Sequence, residues 1–256
     1  MKAVLLCRDG IVARYLAHTL AAEELLDAIV VESGRAAKRE KLRREWRRTP
    51  WWRLPVLALD LAALTVYERL WSRSLRRRLH DHPAARGYPA AIPMQRIDDA
   101  NAPDCLEALK RLAPDVLIVL GTSILGAAVL AVPERAALNV HGGIVPEYRN
   151  VHSDVWAVLQ GDASNVGTSI IHLDEGIDTG AVALQRRVSG AAGFFDLRWR
   201  NVLIAAELVV EALRRLEDGT LPREPQDAER SGFHRTPGAA ALLRLALRRG
   251  RGVGLG

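Results

Sequence analysis

The chain has 256 residues, a formal net charge of +6, 49% hydrophobic residues and 26% charged residues. That is globular composition, long enough for one large α/β domain, and it excludes wholesale disorder. Two cysteines, Cys7 and Cys105, are too few for a disulfide framework or a four-thiolate zinc site, so a cytoplasmic protein is expected.

The first elements read as strand, helix, strand. Residues 3–7 are a short apolar run closed by Arg8-Asp9-Gly10, which suits a buried parallel strand and is no signal-peptide core. Residues 11–26 follow helical spacing through Ile11, Tyr15, Leu16, Leu20 and Leu25, and residues 26–31 form a second buried run. This βαβ opening predicts a right-handed crossover and a parallel sheet.

Residues 35–78 break the pattern with 14 Lys and Arg against 4 Asp and Glu, a net of +10. The rest of the chain therefore sums to −4. A basic helix is predicted over 36–48, ended by Thr49-Pro50, and a second over 54–79, apolar early and basic late. Together they read as a helical insertion at about residues 35–84.

Strand character resumes at 92–97, followed by a helix over 104–112, a strand over 115–120 and a helix over 124–132. A strand over 137–140 runs into His141-Gly142-Gly143. Beyond it come a helix over 153–160, strands over 168–173 and 181–188, and helices over 196–217 and 239–249. The expected organisation is a domain over 1–190 carrying the insertion, then a C-terminal helix and basic tail over 191–256.

Two segments carry candidate chemistry. Asn139 and His141 are two apart at the end of a strand, so both side chains share one face at the end where α/β sheets bind ligands. Gly142 and Gly143 follow, with no Cβ to block a substrate. A strand-end turn beside a structural histidine is the alternative reading. The second segment, Leu173-Asp174-Glu175-Gly176-Ile177-Asp178-Thr179-Gly180, puts three carboxylates and two glycines between two strands. A carboxylate there can orient an imidazole and stabilise its protonated form. An acidic hairpin is the alternative, and the calcium-loop ligand spacing is absent. His80-Asp81-His82 lacks a third ligand nearby, so no metal is expected. His152 and His172 read as cleft-lining or structural, and Arg149 as binding an anionic part of a substrate or pairing with Glu147 or Asp154.

Asn139-Val140-His141-Gly142-Gly143-Ile144-Val145-Pro146-Glu147-Tyr148-Arg149, then Gly161-Asp162, Gly167-Thr168 and residues 173–180 resemble the formyltransferase family that uses 10-formyltetrahydrofolate, amino-sugar N-formyltransferases among them. The likeness spans about residues 114–188, with Asn139 and Asp178 set 39 residues apart. It implies an α/β fold with a Rossmann-like, mostly parallel twisted sheet. It implies Asn139, His141 and Asp178 as the catalytic set, with Asn139 and protonated His141 donating to the oxyanion that forms when an amine attacks the formyl carbon. The formyl donor, 10-formyltetrahydrofolate, is expected against Ser123, Ile124, Leu125, Leu173, Asp174, Glu175, Gly176 and Ile177. Arg149 and Gly143 are the expected substrate contacts.

Departures from the family pattern narrow the acceptor. The loop Arg8-Asp9-Gly10-Ile11 has little phosphate-cradling character, against a glycinamide ribonucleotide. Only 66 residues follow Gly190, against the C-terminal barrel of the methionyl-tRNA enzymes. Gly143-Ile144-Val145-Pro146 replaces the usual Ser-Leu-Leu-Pro, and Arg149-Asn150 the usual Arg-Gly, with Asn150 able to take a left-handed turn position. The expected activity is formyl transfer to an amino sugar of nucleotide-sugar or surface-polysaccharide metabolism. The alternatives are a natural-product amine or hydroxylamine, hydrolysis of the formyl folate, or a non-catalytic binding module. Expected partners are a small-molecule amine, an anionic membrane surface along residues 35–78 at the cytoplasmic face, and a second copy of the chain. No base-reading motif supports nucleic acid.

Overall fold

The structure, a computed structural model, describes residues 1–34, 43 and 46–248. Apolar runs form its central strands because helices cover both faces of the sheet. Strand β1 (Ala3–Arg8) leads through helix α1 (Ile11–Ala22) to β2 (Ala28–Glu32). Next come α2 (Leu54–Arg78), β3 (Met94–Ile97), α3 (Pro103–Leu112) and β4 (Val116–Leu120). The middle of the chain holds α4 (Ala127–Leu130), β5 (Ala136–His141), the short β6 (Arg149–Asn150) and α5 (Ser153–Gln160). Strands β7 (Gly167–His172) and β8 (Val182–Arg187) precede α6 (Phe194–Glu217), β9 (Phe233–His234) and α7 (Ala239–Arg248).

Seven strands make one sheet in the order β3-β2-β1-β4-β5-β7-β8. Every pairing from β3 to β5 is parallel, and β7 alone runs against the rest. This is the mostly parallel α/β fold that the sequence predicts. Alternate residues of each strand feed opposite faces. Leu5, Cys7, Leu138 and Val140 pack with α1 and α6, through Leu16, Leu20, Val209 and Leu213. Val4, Leu6, Leu117 and Val119 pack with Cys105, Leu109 and Val129 of α3 and α4. A third cluster joins Tyr67 of α2 to Tyr148, Val155, Phe194, Leu197 and Leu242.

The predicted helix over 124–132 is a single turn, α4. The Ile124 carbonyl is taken by Asn101 Nδ2, and the Gly126 N–H donates to Asn101 Oδ1, so the backbone before α4 is engaged sideways. The first helix stops at Ala22, four residues short of the predicted end, where Glu24 adopts φ +57°. Most of the predicted helix over 36–48 lies outside the described residues. Residues 222–238 pack onto the ligand end of the sheet. A bridge joins Val182 to Glu224, and β9 pairs with β6.

Candidate active site

The carboxyl ends of β4 and β5 open into a cavity of about 360 Å³. Its walls include Val119, Leu125, Val140, Leu173 and Ile177, with residues 121–123 on one side. Asn139 pairs with Val119 on β4 and Ile171 on β7, which fixes its height in the sheet. Two residues on, His141 points to the same side, and both line the cavity.

Asp178 joins them. Its Oδ1 accepts from Asn139 Nδ2 at 2.9 Å, and its Oδ2 stands 3.4 Å from His141 Nδ1 and accepts from the Asn150 N–H at 2.9 Å. The three residues that the sequence pairs across 39 positions therefore meet at one carboxylate. Asp178 and Asn150 both hold positive φ, +52° and +72°, which Asp and Asn tolerate better than most residues.

The opposite ring nitrogen of His141 fixes its tautomer. Nε2 lies 2.7 Å from the Tyr148 carbonyl, which only accepts, so Nε2 carries a hydrogen and donates. Nδ1 is then the ring nitrogen that faces Asp178. The Tyr148 carbonyl also accepts from Ser153 Oγ at 3.0 Å. The Tyr148 ring is pinned at its far end. Its hydroxyl donates to Asp162 Oδ2 at 2.8 Å, and burial together with that bond pushes its pKa up.

Two loops shape the cavity, and each has an anchor that the sequence reading does not single out. Glu32, at the end of β2, is fully buried. It accepts from the Ser123 N–H at 2.9 Å, Ser123 Oγ at 2.7 Å and the Ala100 N–H at 3.1 Å. The signal available was a carboxylate closing an otherwise apolar strand. Gln226 Nε2 donates to the carbonyls of Asp178 and Gly180, at 2.9 and 2.7 Å, and so ties down the 173–180 loop. A Cβ on Gly180 would overlap the His172 carbonyl oxygen, so this close approach needs glycine.

The other predicted contacts divide. Ser123, Ile124, Leu125, Leu173, Asp174, Gly176 and Ile177 line the cavity. The Ser123 hydroxyl is committed to Glu32, and Asp174 Oδ1 accepts from the Gly176 N–H and Thr179 Oγ1, closing its own turn. Glu175 is exposed and outside the cavity lining. Gly143 is buried away from it, where a Cβ would come within 2.6 Å of the Tyr148 carbonyl oxygen. Arg149 pairs with neither Glu147 nor Asp154. Its Nε donates to the Ile177 carbonyl at 3.1 Å and Nη1 to Ser231 Oγ at 2.6 Å, bracing the acidic loop. Glu147 pairs instead with Arg230, and Asp154 with Arg198. Neither His152 nor His172 lines the cavity. His80 pairs with Asp81, and among the described residues no cluster of three His, Cys, Asp or Glu side chains is placed to hold a metal ion.

Residues 73–192 match the model of the formyl transferase family. The match covers a little under half of the chain. Asn139, His141 and Asp178 all fall within it. The methionyl-tRNA formyltransferase of Synechococcus sp. (strain JA-2-3B'a(2-13)) is 36% identical over 152 residues, 58% of this chain and 46% of its own. The chain thus spans about half the length of the curated relatives it matches. Among solved structures, a sugar N-formyltransferase from Shewanella sp FDAARGOS_354 aligns with TM-score 0.56 and 13% identity, over 91% of this chain and 76% of its own. An N-formyltransferase from Helicobacter canadensis, in complex with folinic acid and dTDP-3-aminofucose, aligns with TM-score 0.54 and 13% identity, over 91% and 71%. These two show that the chain shares their fold over 91% of its length.

Proposed function

We propose that the chain transfers a formyl group from 10-formyltetrahydrofolate to a primary amine, and that the acceptor is an amino sugar. The observation that carries the proposal is the Asp178 carboxylate, bonded to Asn139 and facing His141 Nδ1 at the cavity wall. Apolar side chains interleaved with backbone groups suit a flat pterin ring, and Leu125, Leu173 and Ile177 would hold it. The chemistry that bound 10-formyltetrahydrofolate supplies is an electrophilic formyl carbon on a nitrogen leaving group.

The side chains divide the remaining work. Asn139 Nδ2 has two hydrogens, one spent on Asp178, and the second is free to donate to a developing oxyanion. His141 donates its Nδ1 proton to the same oxygen, and Asp178 balances the imidazolium charge. Two such donors are worth several kcal/mol of barrier, at about 3 kcal/mol each. The Asp178 carboxylate also offers an acceptor for a water that removes the proton lost by the amine.

The amino-sugar reading rests on the sugar N-formyltransferases that share the fold across 91% of this chain. A second reading, the amine of a methionyl-tRNA, is favoured by the sequence relatives. Two buried thiols, Cys7 and Cys105, neither in a disulfide, support a cytoplasmic setting. The test is mass spectrometry of reactions containing 10-formyltetrahydrofolate and, in turn, nucleotide-linked amino sugars, methionyl-tRNA and no amine. A formylated amino sugar supports the proposal. Formylated methionyl-tRNA alone replaces the acceptor, and formate without acceptor makes the protein a hydrolase.

A further inference from the structure

Helix α2 has two apolar faces where a helix at a domain surface needs one. Tyr67, Trp71 and Leu75 are buried against the domain. Val56, Leu59, Val66 and Leu70, spaced by three, seven and four residues, share another side of the helix. Each is between 45% and 60% exposed. The same stripe continues at spacings of three and four as Arg73 and Arg77, both exposed. Before α2, the short 3-10 turn Trp51–Arg53 presents Trp51 and Trp52, the first 80% exposed. Leu243 and Leu247 of α7 add exposed leucines on the helix tied to α2 by the Ala239 N–H to Asp60 Oδ1 bond.

We propose that this outer face of α2 docks the protein on an anionic lipid bilayer. The helix lies in the plane of the surface. Val56, Leu59, Val66, Leu70 and the two tryptophans enter the boundary between headgroups and acyl chains, and Arg73 and Arg77 meet the lipid phosphates. Three observations select this occupant. No helix among the described residues is long and apolar enough to cross a membrane, so the apolar stripe belongs to a surface rather than a span. Residues 35–78 carry net +10 in sequence, and Arg47, Arg48, Arg73, Arg76 and Arg77 among them are exposed, which complements an anionic leaflet. A second copy docked through the same patch would set that charge against itself. RNA would accept the arginines but gains little from a row of valines and leucines. No residue of the patch lines the cavity, so docking stands or falls apart from formyl transfer.

The test is co-sedimentation of the full chain with vesicles of phosphatidylcholine alone and with phosphatidylglycerol mixed in, at low and high salt. Binding is expected only with phosphatidylglycerol, weakening as salt rises. Leu59→Asp/Val66→Asp and Arg73→Glu/Arg77→Glu should each lower the partition coefficient at least about tenfold. Their melting temperatures and transfer to a soluble amine should stay at the wild-type level, because all four side chains face outward. Trp51→Ala/Trp52→Ala supplies a third reading through positions outside α2. Absence of binding at low salt overturns the proposal, as do stripe variants that sediment like wild type. A wild-type dimer that the variants dissociate, or an RNA affinity that they abolish without vesicle binding, assigns the face to that partner instead.

Discussion

The backbone N–H of Asn150 holds Asp178 Oδ2 at 2.9 Å, and each residue has left-handed backbone. The carboxylate of the site is thus aimed by a turn that only some residues can form. Asn150→Gly should keep formyl transfer within about threefold, since glycine adopts this φ freely and the bond comes from backbone. Asn150→Val should lose about 1–2 kcal/mol in urea unfolding, because a β-branched side chain clashes there. It should also lose at least about tenfold in transfer. Equal behaviour of the two variants would remove the turn from the account.

His141→Ala and Asp178→Asn should each lower transfer at least ~100-fold, the usual scale for an oriented donor or acid–base group. Both side chains sit at the cavity rather than in the apolar clusters, so the melting temperature should move by only a few degrees. Single-turnover rates on folded protein decide it. A rate near wild type in either variant ends the catalytic assignment.

Burial pushes the pKa of His172 below its ordinary value, although its Nε2 donates to the Pro222 carbonyl at 3.0 Å. The native state therefore prefers the neutral ring, and the unfolded chain binds the proton near pH 6.5. Below that pH the unfolded state holds more protons, so stability falls as pH drops towards the depressed native pKa and is fully present above about 6.5. Thermal melts across about pH 5 to 8 should show this acid loss, with a shallower slope in His172→Gln. An unchanged slope would place the acid sensitivity elsewhere.

Glu32→Gln should destabilise the protein by about 1–3 kcal/mol, because an amide nitrogen would face N–H donors that now share a carboxylate. The Ser123 loop loses its anchor at the same time. Thermal shifts with 5-formyltetrahydrofolate should then report binding at least about fivefold weaker. Full stability with unchanged binding would show that the loop holds its place without Glu32.

The centre of the sheet was legible in the sequence because β1, β2 and β4 are largely apolar runs closed by Gly, Asp or Ser, as at Cys7-Arg8-Asp9-Gly10. Asn139 and His141 were legible as a pair through strand alternation, and Asp178 through its carboxylate-rich turn. The intramolecular partners of Arg149 were not, because they include chain 82 residues away, at Ser231. Glu32 and Gln226 were hidden for the same reason. Nothing local separates a buried carboxylate that accepts four bonds, one of them from Arg8, from a solvated one, or a clamping amide from one in a loop. The packing role of Gly143 was not legible either, because its missing Cβ makes room for Tyr148 and Ser153, which come later in the chain.

Gln226 grips two carbonyls of the acidic loop from outside the seven-stranded sheet. Residues 223–225 and 227–231 beside it are exposed, so the stretch adds little to the core. Under the proposed function, rate and foldedness are thereby placed under separate mutational control. Drift in this stretch changes how the carboxylate is aimed while the sheet stays intact, and selection meets it through turnover alone. A random library sorted once for expression and once for activity would gather its well-expressed, slow variants at Gln226 and Ser231, and its poorly expressed ones along β1, β4 and β5.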